Sequence, residues 1–260
     1  MKKPYKIIKI GGNELAAPGF IQRLISAIKE QQKEYACILV HGGGRAIDQM
    51  MQKMQIEPQY IDGQRITDEK TLEIAEMILS GNINKKLVLE INAVGVEAIG
   101  LSGIDRKLLQ VEPWGAEMQL VGRIVKVRED LLMEYCDQKI VPVISPISIG
   151  PAGRYNVNAD HAAGKIAGAL EAERVVFVTN VPGVLIEEKV VTQLTDIEVQ
   201  ALIQNNTIQG GMIPKVNAAL DALFYGAKST TITNLAGFRE QVGTTITTKR
   251  KNNVTKKYHP

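Results

Sequence analysis

The chain has 260 residues, of which 45% are hydrophobic and 23% are charged. A chain of this length and composition can bury a sizeable core, as one large α/β domain or as two lobes. These values exclude a disordered tail and a mini-protein. Lysines and arginines number 31 against 28 aspartates and glutamates, which gives a formal net charge of +3.

The positive charge is concentrated at the carboxyl terminus. The last twelve positions contain no acidic residue and five basic ones, namely Lys249, Arg250, Lys251, Lys256 and Lys257. Without those five, 26 basic residues face 28 acidic ones, so the rest of the chain has a net charge of −2. This distribution disfavours nucleic acid as a partner.

Cysteine usage and hydropathy indicate the compartment. Cys37 and Cys136 stand 99 positions apart and form no CxxC pair, which is typical of a reducing environment. The longest stretch without a charged side chain, 199–214, holds 16 residues and is too short to span a bilayer. The first apolar run is too short, and too closely bounded by glycines, for a secretory signal. We therefore expect a cytoplasmic protein with no membrane partner.

Short β-branched runs alternate with helical patterns along the chain. Apolar residues at helical spacing predict helices within 21–28 and 72–79, and Gly81 is the predicted end of the second helix. Buried strands are predicted at 5–10, 36–40, 98–101, 140–144, 175–179 and 230–233. Because strands and helices alternate, the predicted fold class is α/β, with a mainly parallel sheet covered by helices on both faces.

Local signals add caps and turns to this pattern. Thr195 and Glu198 form a predicted capping box, and Pro214 marks the start of a further helix. The segment 58–66 has the turn residues of a hairpin. The segment 148–153 is rich in glycine and proline, so it is the best candidate for the border between two lobes.

Three glycine clusters lie beside predicted strands or helices, at 11–12, 42–44 and 210–211. A glycine turn at a helix amino terminus leaves backbone N–H groups free to bind an anion, and no Cβ keeps the anion away. Tight connections also favour glycine, so any one cluster has a structural explanation. The sequence lacks the Walker A, Rossmann and protein-kinase signatures, so any bound phosphates must be held by another design.

Four charged side chains stand near these turns or at the predicted hairpin. Lys9 ends the first strand and Lys215 begins a helix, where a lysine needs an anionic partner or full solvation. Asp160 follows the predicted helix cap Asn158, and it either complements the helix dipole or holds lysines in place. Arg65 ends the hairpin and is either an exposed edge residue or a bidentate ligand of a carboxylate.

The histidines and Ser102 give no further catalytic site. His41 precedes a glycine cluster and is interpreted as a packed structural residue rather than a base. His161 has no second candidate ligand four residues later, and His259 lies in the tail. Ser102 lacks the trailing glycine of a nucleophile elbow and is assigned to a turn. We therefore expect no metal bound by protein ligands.

Eight short motifs occur in a fixed order along the chain. They are KIGGN at 9–13, HGGG at 41–44, RITD at 65–68, GNINK at 81–85, GLSG at 100–103, YNVNAD at 155–160, VPGV at 181–184 and GGMIPKV at 210–216. In this order and spacing the sequence resembles the amino acid kinase family, from about residue 5 to residue 246. Within that family it resembles the branch that phosphorylates N-acetyl-L-glutamate.

This resemblance implies a three-layer α/β/α sandwich with a mainly parallel central sheet and two lobes. A single domain would occupy 1–247, and its amino-terminal lobe, about 1–150, would bind the acyl amino acid and form a homodimer. The carboxyl-terminal lobe, about 151–247, would bind ATP. The remaining segment, 248–260, would be a basic tail.

The resemblance also assigns roles to individual residues. Lys9 and Lys215 would stabilise the transferring phosphoryl group, and Asp160 would organise both lysines. The residues that would bind acetylglutamate are Gly43, Gly44, Arg65 and Asn156. The residues that would contact the nucleotide or its phosphates are Gly11, Gly12, Thr179, Asn180, Val181, Pro182, Gly183, Val184, Gly210, Gly211 and Met212. The implied cofactors are ATP and Mg²⁺, with the metal held mainly by phosphates and water.

A carboxylate acceptor suits a chain that is poor in histidine. With a pKa of about 4.3, a glutamate side chain is ionised at neutral pH and needs no general base. The obstacle is the approach of one anion to another, which positioned cations and backbone donors relieve. Lys9 and Lys215 have the right chemistry for opposite sides of the phosphoryl group.

Three positions depart from the family pattern. Arg45 stands where proline is frequent, Asn180 where aspartate is common, and 233–235 replaces a frequent Asp-Gly. Family members inhibited by arginine carry an extra amino-terminal helix that links dimers into hexamers. Here the first strand starts near Tyr5, so we expect an arginine-insensitive homodimer.

Three other hypotheses stay open at this point. A sister kinase would phosphorylate aminoadipate or glutamate carried on an acidic protein, which requires a basic collar for which Arg45 is one candidate. Another N-acylglutamate, such as N-succinylglutamate, would fit the same motifs. A sensor without catalytic activity could dispense with Lys9, Asp160 or Lys215, yet all three are present.

Overall fold

The computed structural model describes residues 2–249. The strands are, in chain order, β1 (Tyr5–Ile10), β2 (Ala36–His41), β3 (Tyr60–Ile61), β4 (Gln64–Arg65), β5 (Ala98–Ser102), β6 (Leu109–Pro113), β7 (Gly122–Val127), β8 (Val141–Ser145), β9 (Ile147–Gly150), β10 (Gly153–Asn156), β11 (Arg174–Val178), β12 (Leu185–Ile186), β13 (Lys189–Val190), β14 (Gln193–Thr195), β15 (Thr230–Thr233) and β16 (Thr244–Thr247). The α-helices are α1 (Gly12–Leu15), α2 (Phe20–Gln31), α3 (Gly44–Lys53), α4 (Glu69–Glu76), α5 (Asn84–Ala93), α6 (Glu129–Asp137), α7 (Ala159–Ala169), α8 (Asp196–Gln204), α9 (Ile213–Phe224) and α10 (Leu235–Glu240).

The main sheet has eight strands in the spatial order β14-β16-β15-β11-β1-β2-β8-β5. Neighbouring strands are parallel except for β15 and β16, which are antiparallel. All six strands predicted from the sequence lie in this sheet, with ends that differ by at most one residue. The predicted α/β class with a mainly parallel central sheet is confirmed.

Successive side chains of β1 enter two different core layers. Ile7 packs in a cluster that includes Ala163 of α7 and Val216 of α9. Ile8 packs on the other face of the sheet, in a cluster that includes Leu24 of α2. A strand with two-residue periodicity and apolar side chains on both faces requires helices on both sides, which produces three layers. Each fully buried isoleucine contributes roughly 1.5–3 kcal/mol to this sandwich.

A second, smaller sheet has the strand order β10-β9-β6-β7, and the sequence patterns do not predict it. The glycine- and proline-rich segment 148–153 falls within this sheet. It contains the end of β9, a tight turn and the start of β10, which pairs antiparallel with β9. The segment is therefore a hairpin, and its role as a border between lobes stays a prediction.

The structure confirms two of the predicted local signals. Strands β3 and β4 form the hairpin expected at 58–66, and its turn places Asp62 and Gly63 at φ 48° and 77°. Positive φ at both turn residues is the geometry of a tight two-residue hairpin turn. Thr195 and Glu198 form the expected capping box at the start of α8.

The prediction that a helix ends at Gly81 is wrong. The helix α4 continues through a π-helical segment, Met77–Ile83, directly into α5. Gly81 lies inside the π-helical segment and does not take the left-handed conformation of a glycine cap. Burial of Ile78 and Leu79 keeps this segment packed, so the helix continues past the glycine.

No helix within residues 2–249 is long and apolar enough to cross a membrane. Most of the predicted basic tail at 248–260, from position 250 onward and including His259, lies outside the described residues.

Candidate active site

Two chambers open at the carboxyl end of the main sheet. The large chamber, against the ends of β1, β11 and β15, has a volume of about 750 Å³. The small chamber, against the ends of β1 and β2 and the β3–β4 hairpin, has a volume of about 430 Å³. Both are lined by Lys9, Gly11, Gly12, Asn13 and Asp160. The carboxyl edge of a parallel sheet is where α/β proteins bind ligands, so the shared wall is the natural place for a reaction between two bound molecules.

Lys9 and Asp160 form an ion pair in this shared wall. The distance from Lys9 Nζ to Asp160 Oδ1 is 2.8 Å, and the side chains are 15% and 33% exposed. β1 places Lys9 one residue before its end, and α7 places Asp160 in its first turn. The turn is fixed by Asn158, whose Oδ1 accepts a hydrogen bond from the Asp160 N–H at 2.7 Å. The ion pair therefore joins the end of a central strand to the start of a capped helix.

Lys215 lines the large chamber together with Lys9 and Asp160. Its Nζ donates to the carbonyl oxygen of Gly211 at 2.9 Å, across the 3₁₀ turn Gly210–Met212 that precedes α9. No ion pair within 4.0 Å joins Lys215 to Asp160 in the described part of the chain. The structure thus pairs Asp160 with one of the two predicted lysines and brings the other into the same chamber. The control of both lysines by Asp160 stays a prediction.

Arg65 is held firmly in the wall of the small chamber. Its side chain is only 7% exposed, and its Nη1 lies 2.7 Å from Asp48 Oδ1. Its Nη2 donates to the carbonyl oxygen of Gly44 at 3.3 Å, and its guanidinium lies over the Tyr60 ring at 4.9 Å. The Tyr60 hydroxyl also donates to Asp48 Oδ1, at 2.7 Å. The hairpin and α3 therefore fix the orientation of the guanidinium.

Asn156, Gly43 and Gly44 also line the small chamber. The Asn156 side-chain amide donates to Thr67 Oγ1 at 3.1 Å, which ties β10 to the segment after the hairpin. The two glycine turns approach so closely that a Cβ on Gly12 would lie 2.7 Å from the Gly43 Cα. Only glycine fits at position 12 without moving the neighbouring backbone.

The residues predicted to contact the nucleotide divide into two groups. Thr179 and Asn180 line the large chamber, as do Gly11 and Gly12. The remaining predicted residues are not among those that line it, namely Val181, Pro182, Gly183, Val184, Gly210, Gly211 and Met212. Of these, Val184 is buried, and its N–H donates to Thr244 Oγ1 at 2.7 Å. Their contact with a nucleotide stays a prediction.

Several residues of the two chambers escape the sequence motifs. Arg23 of α2 and Arg239 of α10 line the large chamber, and Asp48 lines the small one. The two arginines are ordinary basic residues of helices, and Asp48 lies in the second turn of α3. None of them belongs to a sequence motif that would mark it as functional. Asn234 also lines the large chamber, and its position directly after a predicted strand was a usable signal for the cap of α10.

The large chamber carries more positive than negative side chains. Its lining includes four cations, Lys9, Arg23, Lys215 and Arg239, against the carboxylates of Glu14 and Asp160. An excess of cations at the end of a sheet suits a polyanionic ligand such as a chain of phosphates.

Comparison with known proteins agrees with this geometry. A model described as the amino acid kinase family matches residues 4–234. The chain belongs to the amino acid kinase family. The acetylglutamate kinase of Roseiflexus sp. (strain RS-1) is 44% identical over 255 residues, covering 96% of this chain and 95% of that protein. The acetylglutamate kinase of Methanopyrus kandleri is 39% identical over 253 residues, covering 93% of this chain and 99% of that protein.

Solved structures of similar fold cover nearly the whole of this amino acid kinase. The structure of smu.665 from Streptococcus mutans UA159 has a TM-score of 0.81 and 28% identity, over 94% of this chain and 98% of that one. Carbamate kinase from Giardia lamblia bound to AMP-PNP has a TM-score of 0.72 and 16% identity, over 96% and 100% of the two chains. At this identity the likeness to carbamate kinase shows the fold alone.

His41 supports the glycine turn of the small chamber in this amino acid kinase. Burial lowers its pKa to about 4, so the imidazole is neutral at pH 7. Its Nδ1 lies 3.2 Å from the Gly42 carbonyl oxygen, and its Nε2 lies 3.2 Å from the Asn84 side-chain nitrogen. Since a carbonyl only accepts and an amide nitrogen only donates, Nδ1 carries the proton and Nε2 accepts. His41 is thus a hydrogen-bonded structural residue.

The carboxylates near the shared wall limit how this amino acid kinase can hold a metal. No group of three or more His, Cys, Asp or Glu side chains placed to hold a metal occurs in residues 2–249. Glu14 and Asp160 supply two carboxylates to the large chamber. Because Asp160 is already paired with Lys9, this lining suits an Mg²⁺ that is held mainly by substrate phosphates and water.

Proposed function

We propose that this chain transfers the γ-phosphoryl group of ATP to the side-chain carboxylate of N-acetyl-L-glutamate. The products are an acyl phosphate and ADP, and the reaction is a step of arginine biosynthesis. The Lys9–Asp160 ion pair in the wall shared by two chambers carries the proposal, because it places a cation where the two bound substrates meet. The relatives named acetylglutamate kinase, at 39–44% identity over nearly the full chain, support the choice of acceptor.

The proposed reaction needs no proton transfer. A carboxylate oxygen of acetylglutamate forms a bond to the γ-phosphorus while the bond to the β–γ bridging oxygen breaks, and the electron pair leaves with ADP. With a pKa of about 4.3 the acceptor is already ionised at neutral pH. The barrier comes from bringing two anions together, and positioned cations lower it. Lys9 at the shared wall and Lys215 in the large chamber are the proposed cations.

We assign ATP to the large chamber, whose volume and excess of cations suit a nucleotide with three phosphates. Gly11 and Gly12 line the chamber beside Lys9, where their backbone N–H groups would contact the phosphates, and Thr179 and Asn180 directly follow β11. Mg²⁺ would be held mainly by the phosphates and water, with Glu14 the carboxylate of this chamber that is not paired with Lys9. When bound, Mg²⁺ supplies positive charge that offsets the charge of the phosphates.

We assign acetylglutamate to the small chamber. Arg65 offers a fixed, nearly buried guanidinium to the carboxylate that does not react, because Asp48 and Tyr60 already set its orientation. Gly43 is the N-cap of α3 and Gly44 its first residue, and both line the chamber together with Asn156. Their backbone N–H groups and the Asn156 amide would complete the binding of acetylglutamate. In this arrangement the reacting carboxylate points toward Lys9.

The wider organisation follows from the family resemblance. We propose one domain at 1–247 that works as a cytoplasmic homodimer, with the acyl amino acid bound by the segment of about 1–150. The segment of about 151–247 would supply most contacts to ATP. Analytical ultracentrifugation of the full chain tests the homodimer.

The test of the proposed function is an ATP-dependent assay with hydroxylamine present, which traps an acyl phosphate as a coloured hydroxamate. The acceptors are N-acetylglutamate, N-succinylglutamate, glutamate and N-acetylaspartate. We expect N-acetylglutamate to give the highest kcat/KM. Hydroxamate from none of the four would refute the proposal, and a preference for N-succinylglutamate would replace the acceptor.

A further inference from the structure

His161 connects three elements around the shared wall. It directly follows Asp160 in the first turn of α7, and its side chain is half-buried. Its Nε2 accepts a hydrogen bond from the Ile124 N–H of β7 at 3.1 Å. Its Nδ1 lies 3.4 Å from the Tyr225 hydroxyl at the end of α9. The ring also packs edge-on against Trp114 and Tyr225, at centroid distances of 5.7 and 5.6 Å.

The two hydrogen-bond partners of His161 belong to elements that lie beside different chambers. β7 follows directly after Val121, which lines the small chamber and forms a bridge with Asn156. Tyr225 directly follows α9, the helix whose first turn carries Lys215 in the large chamber. A single imidazole therefore ties the turn that carries Asp160 both to the sheet beside the small chamber and to the helix beside the large one.

The hydrogen bonds define the protonation state of this ring. Because the Ile124 N–H donates to it, Nε2 carries no proton, so Nδ1 carries the proton of the neutral ring and donates to the Tyr225 oxygen. Burial lowers the pKa to about 4, and the charges of Lys165 and Arg123 act in the same direction. Burial raises the pKa of Tyr225, and the charge of Asp221 on α9 raises it further. Neutral His161 is thus the form that holds the three elements together at pH 7.

We propose that His161 is a positioning residue for phosphoryl transfer, which sets Asp160, and through it Lys9, relative to both chambers. The inference rests on the proposed function. Asp160 contacts Lys9 at 2.8 Å, so a shift of the first turn of α7 moves the cation that faces the transferring group. Misplacement of a catalytic group by about 1 Å costs as much as a hundredfold in rate. Loss of the imidazole acceptor should therefore lower kcat and leave substrate binding nearly unchanged.

The test compares His161→Leu, which removes the acceptor, with His161→Gln, whose side-chain oxygen can accept the Ile124 N–H. We expect His161→Leu to lower kcat roughly tenfold to hundredfold, with KM for both substrates within about twofold, and His161→Gln to recover most of the loss. Lys165→Gln is the matched control, since Lys165 lies one turn later on α7 and stacks over the same Tyr225 ring at 4.2 Å. It should keep the wild-type kcat.

A double-mutant cycle separates positioning from general stability. If His161 acts through Asp160, the loss caused by His161→Leu should shrink to within about twofold when Asp160→Asn is already present. Equal losses in the two backgrounds, a wild-type kcat in His161→Leu, or a change confined to KM would each overturn the inference. Wild-type turnover is measured first, so failure of the proposed function shows as no acyl phosphate from the wild type.

A measurement on the wild-type protein covers the case in which His161→Leu does not fold. Nitrogen-15 NMR of the histidine rings at pH 7 should show His161 neutral, with the proton on Nδ1. A proton on Nε2 would contradict the hydrogen bond from Ile124 and overturn the inference, whatever the activity of the chain.

Discussion

Lys215 shows at the residue scale how a side chain can matter for catalysis and little for folding. Its Nζ donates a hydrogen bond to the Gly211 carbonyl oxygen, and the side chain lines the large chamber. We expect Lys215→Ala to lower kcat by about 10² to 10³, the loss typical of removing one donor to a transition state. The melting temperature should stay within about 2 °C of the wild type, because no buried partner loses its charge.

The matched control for Lys215 is Lys228→Ala. Lys228 is 60% exposed, pairs with Glu173 at 3.0 Å and lies outside both chambers. Exposed pairs of this kind contribute about 0–1 kcal/mol, so the variant should keep both activity and stability. A Lys215→Ala enzyme as active as this control would remove Lys215 from the mechanism.

Asp48 should influence the affinity for N-acetylglutamate, because it orients Arg65. It holds Nη1 of Arg65 and accepts from the Tyr60 hydroxyl, so Asp48→Ala frees the guanidinium to rotate. Hydrogen bonds to charged groups contribute about 1.5–3 kcal/mol. We expect KM for N-acetylglutamate to rise at least roughly tenfold, with kcat and KM for ATP unchanged, as measured by steady-state kinetics. Asp48→Asn keeps an acceptor and should recover part of the affinity; equal KM values for Asp48→Ala and the wild type would show that Arg65 needs no orientation.

The residues that the motifs predict differ in kind from those that they miss. Lys9 and Asp160 stand where a strand ends and a helix begins, and the ends of parallel strands meet at one edge. Asp48 contacts Arg65 because the hairpin folds back on α3, across 17 positions of sequence. Arg23 reaches the large chamber through the packing of α2. Such contacts depend on tertiary geometry, which a local pattern does not contain.

The two glycine turns give a prediction at the scale of elements. A Cβ at position 12 would lie 2.7 Å from the Gly43 Cα and 2.9 Å from the Gly44 nitrogen, so the turns after β1 and β2 would have to separate. Overpacking of this kind typically costs 1–3 kcal/mol. We expect Gly12→Ala to lower the free energy of unfolding in urea by about that amount, and to lower kcat through displacement of Lys9.

Gly81 supplies the control for this substitution. Nothing lies within 4 Å of a Cβ at that position, in the middle of the π-helical segment. Alanine is favoured over glycine in helices by up to about 1 kcal/mol, so Gly81→Ala should be neutral or stabilising. A similar destabilisation in Gly12→Ala and Gly81→Ala would mean that the close approach of the two turns is not the reason why position 12 requires glycine.

Strands that are buried on both faces of the sheet could be predicted from the sequence. Predicted strands of the main sheet such as β1 and β2 are largely buried and appear in the sequence as short, mainly apolar runs. The strands β14 and β16 of the same sheet carry exposed residues and were not predicted. The small sheet lacks this signal, because β7 alternates buried and exposed residues and β6 ends in the exposed pair Glu112 and Pro113. The stop expected at Gly81 failed for a related reason, since buried contacts outweigh the preference of one residue.

At the scale of the whole molecule, the net charge of +3 and the charge around the site have different origins. The surplus comes from the carboxyl-terminal segment, and the rest of the chain is slightly acidic. The large chamber nevertheless concentrates four cations at one edge of the sheet, although they are distant in sequence. They are Lys9, Lys215, Arg23 of α2 and Arg239 of α10. The fold therefore creates a locally positive site in a chain whose remaining surface is slightly acidic and weakly repels polyanions.

The two neutral histidines make the stability of the whole fold depend on pH. His41 and His161 each have a pKa of about 4 in the folded chain, against an ordinary value of 6.5. Between these values the unfolded chain binds protons that the folded chain does not, so stability is full above pH 6.5 and falls as the pH drops toward 4. The loss is up to about 3 kcal/mol for fully buried His41, and less for half-buried His161.

Urea unfolding at several pH values between 5 and 7.5 measures this dependence. We expect the free energy of unfolding to rise with pH and to level off above about pH 7, with the steepest slope, approaching two protons per molecule, near pH 5. His161→Gln should lose about one proton of that slope, because the His41 contribution remains. A flat profile in the wild type would mean that the two imidazoles bind protons in the folded chain as readily as in the unfolded chain, which would contradict the hydrogen bonds that Asn84 and Ile124 donate to them.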